Sequence, residues 1–233
     1  MASPRDEALA TLRERVELLL RGVSDPGRGW DHVERVYGLG RKLAREEEAD
    51  RFVVGIAALL HDLGSAAGTA GSGGAAARAA AELAAHALPP PVVAAIVESV
   101  GAQGDNAAPA SLEARVLRDA HRLDELGALG IAAALGGDTA RGRALYDGAD
   151  PFALMRELEP DGYAIDRLFA RLLSLPGELH TPTARAIANR RVATMLFFLE
   201  ELRGEFADSL PGALLPKGNW LVPEEDTSDE GSG

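Results

Sequence analysis

The chain has 233 residues and a formal net charge of −12, with 46% hydrophobic but only 5% aromatic residues. That length supports one sizeable domain, and an Ala/Leu-rich, aromatic-poor composition suits packed helices better than a β-sandwich. Cysteine is absent, which excludes disulfides, thiolate metal sites and thiol nucleophiles, and the acidic balance without a basic face argues against a nucleic-acid polymer as partner.

In chain order, residues 6–21, "DEALATLRERVELLLR", repeat apolar positions at three and four, as an amphipathic helix does. "GVSDPGRGWDH" is a loop in which Asp31 can cap the helix that follows. "HVERVYGLGRKLAREEEA" and "RFVVGIAALLHDLG" are two more helices, the second apolar enough to lie centrally and ended by Gly64. "SAAGTAGSGGAAARAAAELAAHAL" divides into a flexible loop and a weakly amphipathic helix. A helix starts after the prolines of "PPPVVAAIVESV", where Pro is tolerated. "SLEARVLRDAHRLDELGALGIAAAL" is one long helical run, and "GGDTARGRALYDGADPF" is a surface excursion. Two helices follow, in "DGYAIDRLFARLLSL" and "TARAIANRRVATMLFFLEELRGEF".

No segment shows convincing strand alternation, so the expected fold is all-α. Residues 1–210 form the expected domain and 211–233 an acidic, disordered tail. No apolar run is long enough to cross a bilayer and no secretory signal pattern is visible, which sets the expectation of a soluble, cytoplasmic protein with no membrane partner. Oligomeric state is left open.

The stretch "AALLHDLGS" places His61 and Asp62 at the end of an apolar run, where an unpartnered carboxylate is costly. Of the five histidines, three lie beside or near carboxylates: His32 after Asp31, His61 before Asp62, and His121 between Asp119 and Asp124. Imidazole with carboxylate suits a borderline or hard divalent ion. A single helical histidine is more often a hydrogen-bonded structural residue, so spacing alone leaves both roles open. His86 has the character of a surface or capping residue. The glycines of "GSGG" lack a following Lys-Ser/Thr, so a phosphate loop is not supported.

At these residues the chain resembles a family. "WDHVERVYGLGRKLA", "AALLHDLG" and "LRDAHRLDELGALGIA" are similar, in order, to the motifs of the HD-domain superfamily of metal-dependent phosphohydrolases. "GRALYDGADPFALMRELEPDGYAIDRLFARLLSLPGELHTPTARAIANRR" resembles the C-terminal half of its small standalone bacterial members, so the likeness spans residues 10–207. The resemblance implies an HD-domain helical bundle whose ligands converge from separate helices on a divalent ion, and a small phosphorylated substrate, a nucleotide. It assigns His32, His61 and Asp62 as ligands. The last ligand place, the third residue of a segment like "DADRLD" in relatives, is here His121 in "DAHRLD".

Two consequences compete. An imidazole can serve as ligand, giving a three-His, one-Asp site that favours Mn, Fe, Co, Ni or Zn over Mg. Alternatively the site is lost and the fold is a catalytically inactive binding or interaction module. Asp124, near the His121 face of its helix, is the understudy for that ligand place and a candidate acid or base behind the ion; Asp62 is a candidate to orient water. Further histidines that relatives carry have no counterpart in "GTAGSGGAAARAA", which points to one metal rather than two and disfavours di-iron oxygenase chemistry. Arg167 and Arg171, one turn apart, are candidate phosphate contacts. Arg122 either touches substrate or pairs with Asp119; Arg185 and Arg191 are expected to pack the last helix.

Overall fold

A computed structural model describes residues 3–23, 29–63, 72–104, 109–140 and 142–217. The expected helix stop at Gly64, most of the loop after it and the tail beyond 217 lie outside the described residues. The architecture is all-α: among the described residues the sole β feature is an isolated bridge between Ala144 and Tyr163.

Helix α1 (Pro4–Leu20) opens with a capping box between Ser3 and Asp6, and buries Ala8, Leu12, Val16 and Leu20 along one stripe. Helix α2 (Trp30–Glu46) is capped by Gly29. Asp31, expected as the cap, lies instead within its first turn, where a carboxylate still favours the positive end of the helix. Helix α3 (Arg51–Leu60) is capped by Asp50, whose carboxylate accepts from Phe52 N and Val53 N. Every residue from Val53 to Leu60 is buried, so α3 is the central element expected.

Helix α4 (Ser72–Leu83) begins at Ser72, so part of the glycine-rich stretch expected as loop is helical. Helix α5 (Pro90–Gly101) starts at the prolines rather than after them: Pro89 is the cap and Pro90 and Pro91 open the first turn, where Pro is tolerated. The expected long run after Ser111 is not continuous: helix α6 (Leu112–Asp124) stops and α7 (Gly127–Ala140) starts anew. Gly127 is the cause. Its φ of +80° is a left-handed conformation that favours glycine, and a Cβ there would lie 3.1 Å from the Arg191 side chain.

Residues 142–163 are irregular but are not a simple surface excursion. Asp150 accepts from Leu154 N (2.9 Å) and Met155 N (2.8 Å). Asp166, fully buried, accepts from Arg156 Nη1 (2.5 Å), Arg156 Nη2 (2.8 Å) and Glu159 N (2.7 Å). Phe152 from this segment enters the core against Phe169 and Phe206. Side-chain acceptors thus replace the hydrogen bonds that a regular element would have provided. Helix α8 (Ala164–Ser174) and the long α9 (Pro182–Ser209) complete the bundle. Residues 211–217, expected as the start of the tail, stay on the body: Leu214 N donates to Ala149 O (2.8 Å), and Pro216 is buried. No helix among the described residues is long and apolar enough to cross a membrane.

Helix α2 packs most extensively against α3 and α6, the helices that carry His61 and His121. Two glycines allow the close approach. A Cβ on Gly40 would meet Val54 Cγ1 at 3.0 Å and Ala120 Cβ at 3.8 Å, and one on Gly55 would meet Tyr37 Cε2 at 3.2 Å.

Candidate metal centre

Three imidazoles meet where these helices cross. His32 lies in the first turn of α2, His61 caps the C-terminus of α3, and His121 lies in the last turn of α6. Their ring centroids stand 5.3–5.4 Å apart pairwise, and one nitrogen from each lies within 4.8 Å of the other two. His61 and His121 sit at the negative ends of two helix dipoles, a favourable place for a cation.

The hydrogen bonds of the outer nitrogens decide what the inner ones offer. His61 Nδ1 contacts Ala58 O at 2.7 Å; a carbonyl only accepts, so Nδ1 carries the proton and Nε2 a bare lone pair. His32 Nδ1 lies 2.8 Å from Asp124 Oδ2, and Asp124 is gripped by Arg35 Nε (2.7 Å) and Nη2 (2.9 Å). Burial alone would raise the Asp124 carboxyl, but these hydrogen bonds outweigh it and hold its pKa below the ordinary value. Ionised, Asp124 accepts, so His32 donates from Nδ1 and, as a neutral ring, exposes a bare Nε2.

The two Nε2 atoms face each other at 3.4 Å. Lone pairs directed at one another repel unless a proton or a metal ion lies between them. Burial, and then the neighbouring His32 ring, lowers the pKa of His61. Burial, followed by His61 and His32, drives that of His121 well below its usual value. Protons on these two rings are therefore disfavoured. Nitrogens bound at ~2.1 Å to one ion stand roughly 3.0–3.4 Å apart for octahedral to tetrahedral angles. The donor set fits a divalent ion.

The other expected site residues are distributed differently. Asp62 follows His61 and is half-buried, but is not among the atoms gathered within 4.8 Å. Asp124 is not an understudy for His121: its oxygens serve His32 and Arg35 on α2. Arg171 Nη1 binds Glu125 Oε2 at 2.5 Å. Arg167 Nη2 reaches Asp161 Oδ1 at 3.1 Å, an oxygen shared with Arg143. Arg122 does not pair with Asp119; it binds Glu178 through the backbone oxygen and, at 2.5 Å, through the carboxylate. Asp119 is occupied elsewhere, accepting from His180 N, Thr181 N and Thr181 Oγ1 at the start of α9.

Arg191 packs α9 as expected, donating to Leu123 O beside Gly127, whereas Arg185 is exposed. His86 is half-buried, and its N–H closes the end of α4 on Leu83 O.

Sequence reasoning missed Arg35 and Glu125. Both carried a signal. Arg35 stands three residues after His32 and Glu125 four after His121, the spacings that put side chains on one helix face.

Comparisons with known proteins identify the family. The HD domain family model matches residues 29–126, the segment holding all three imidazoles, Asp62 and Asp124. The uncharacterized protein YpgQ of Bacillus subtilis is 31% identical over 197 residues, covering 82% of this chain and 90% of YpgQ. The crystal structure of YpgQ in complex with ADP superposes with a TM-score of 0.70 at 26% identity, over 87% of this chain and 97% of that one. A structure from Lactobacillus plantarum gives a TM-score of 0.70 at 29% identity, over 90% and 100% of the two chains. An HD-superfamily hydrolase from Bacillus thuringiensis shares the fold, with a TM-score of 0.68 at 24% identity over 87% and 98%. With the family model over the segment that carries the three imidazoles and a relative matched along most of its length, this chain belongs to the HD-domain superfamily, in its small bacterial branch.

Proposed function

We propose that this chain is a metal-dependent phosphohydrolase acting on a phosphate ester or anhydride of a nucleotide through a single divalent ion. The observation that carries the reading is the pair of Nε2 atoms on His32 and His61, which face each other at 3.4 Å and are both bare when the rings are neutral. The ADP held by YpgQ supports a nucleotide as the phosphorylated partner. Neutral imidazoles favour Mn, Fe, Co, Ni or Zn over Mg. They also leave the site with one negative charge fewer than an aspartate would, which offsets part of the −12 field that repels a phosphate.

His32, His61 and His121 would hold the ion, with Asp62 beside His61 as the acidic member of the set. A bound ion lowers the pKa of a water and polarises a phosphoryl oxygen. Asp62 would orient a water there, its carboxylate accepting a hydrogen bond. Asp124 acts through His32, keeping Nδ1 protonated and Nε2 bare, rather than moving a proton itself. Arg171 is 40% exposed and held beside His121 by Glu125, which leaves guanidinium edges for phosphate oxygens. Arg167, one turn before Arg171, is the second candidate phosphate contact; its pair with Asp161, 96% exposed, is of a kind that is weak in water. Arg122, bound twice to Glu178, serves structure.

A catalytically inactive HD-fold binding module is the second reading, favoured by Asp62 standing outside the group of gathered nitrogens. Metal analysis of protein purified without chelator, followed by a nucleotide and phosphate-ester panel with Mn²⁺, Co²⁺, Ni²⁺, Fe²⁺ or Zn²⁺, separates the two. The hydrolase reading expects one ion per chain, lost in His61→Ala, and phosphate release. No metal and no turnover with any ion overturns it.

A further inference from the structure

We propose that Glu125 is a positioning residue for His121, so that the centre is held by two parallel chains of imidazole, carboxylate and guanidinium; this rests on the metal reading above. The first chain is His32–Asp124–Arg35, with contacts of 2.8 Å and 2.7 Å. The second is His121–Glu125–Arg171. Glu125 Oε1 lies 4.0 Å from His121 Nδ1, one helical turn away, while Glu125 Oε2 lies 2.5 Å from Arg171 Nη1.

Consecutive residues diverge by about 100° around a helix axis. At the end of α6, Asp124 therefore turns to α2 and Glu125, the C-cap, turns to α8. Each acid backs a different imidazole, and each is clamped by an arginine from another part of the chain. The Glu125 carboxylate is 26% exposed, and burial pushes its pKa up against the opposing pull of Arg171. A half-buried acid beside an imidazole nitrogen is a hydrogen-bond acceptor waiting on a donor. At 4.0 Å the pair is in contact but not hydrogen-bonded, and closing by roughly 1 Å makes it a hydrogen bond.

The consequence is chemical. An acceptor behind Nδ1 selects the tautomer with its proton on Nδ1, leaving Nε2 bare. A metal on Nε2 strengthens Nδ1–H as a donor, so the carboxylate raises the affinity of the ring for the ion without touching it. The third imidazole thereby gains the support that Asp124 gives the first.

Full-length wild type, Glu125→Gln and Glu125→Ala are compared by Co²⁺ titration, following the d–d spectrum and competition with a chromophoric chelator. The positioning role expects ~10–100-fold weaker Co²⁺ binding in Glu125→Ala, with an altered visible spectrum. It expects a smaller loss in Glu125→Gln, whose amide oxygen still accepts from Nδ1. Glu125→Gln is nearly isosteric and carries the test should the alanine variant fold poorly. Wild-type affinity and spectrum in both variants overturn this inference and leave the metal reading intact. A wild type that binds no Co²⁺ overturns both.

Discussion

Replacing Asp124 with asparagine changes one atom in the most fully connected part of the centre. The native carboxylate accepts from His32 Nδ1 at 2.8 Å and from Arg35 Nε and Nη2 at 2.7 and 2.9 Å. Asparagine has one oxygen and one NH₂ group to set against these donors. Arg35 is charged and only donates, so it claims the oxygen. The NH₂ group then faces His32, whose Nδ1 must give up its proton to accept. That moves the ring proton to Nε2 and aims it at His61 Nε2, 3.4 Å away, into the space the ion would occupy.

Loss of such a partner behind a ligand weakens metal binding by ~10–100-fold. Breaking a fully buried ion pair costs ~3–5 kcal/mol; the Arg35 side chain is 26% exposed, so the stability loss is discounted to ~2–3 kcal/mol. For a domain of this size that lowers Tm by ~4–12 °C. Metal competition titration, thermal melts of the metal-free protein and ¹⁵N NMR of the imidazole tautomers read the three effects separately. Unchanged metal affinity, with His32 still protonated on Nδ1, would refute the assignment of Asp124 as the residue that sets the His32 tautomer.

Three further outcomes are expected. His121→Asp keeps the ion and shifts preference towards Mg²⁺, and it works better with Glu125→Ala than alone, because carboxylates at i and i+4 repel by ~0.2–0.5 kcal/mol; affinities for Mg²⁺ and Zn²⁺ in the single and double variants check this, and an unaltered preference counts against His121 as ligand. Metal-free protein loses stability on acidification, because burial depresses the pKa values of His61 and His121 in the fold while unfolded imidazole titrates near ~6.5. Between those values the unfolded state binds more protons, so stability is greatest above that pH and falls as pH drops through the window; urea melts at neutral and mildly acidic pH test it, and a flat profile refutes it. Gly127→Ala places a Cβ 3.1 Å from Arg191 in a left-handed conformation, at a cost of ~1–2 kcal/mol for the backbone alone; wild-type stability in this variant would contradict the break between α6 and α7.

Periodicity and caps made most of the fold legible, because the information that makes a helix lies within a few residues of it. Where the sequence misled, the deciding contact was distant. The run "LDELGALGIAAAL" keeps its apolar spacing straight through Gly127, and what stops it is a left-handed glycine packed on Arg191. Spacing along α6 ties Asp124 to His121, yet its partner is His32, 92 residues earlier. The histidines were legible by residue type; which nitrogen each would present was not, since that is set by Ala58 O and Asp124 across the packed helices.

These two failures have one origin. Stopping α6 at Asp124 leaves Glu125 as the C-cap, free of the next turn, and starts α7 in a new direction, where it contacts α8. Helix α8 in turn carries Arg171 to Glu125. The glycine that the helical pattern hides thus determines which carboxylate stands behind which imidazole, and the chemistry of the centre depends on a backbone stop as much as on its histidines.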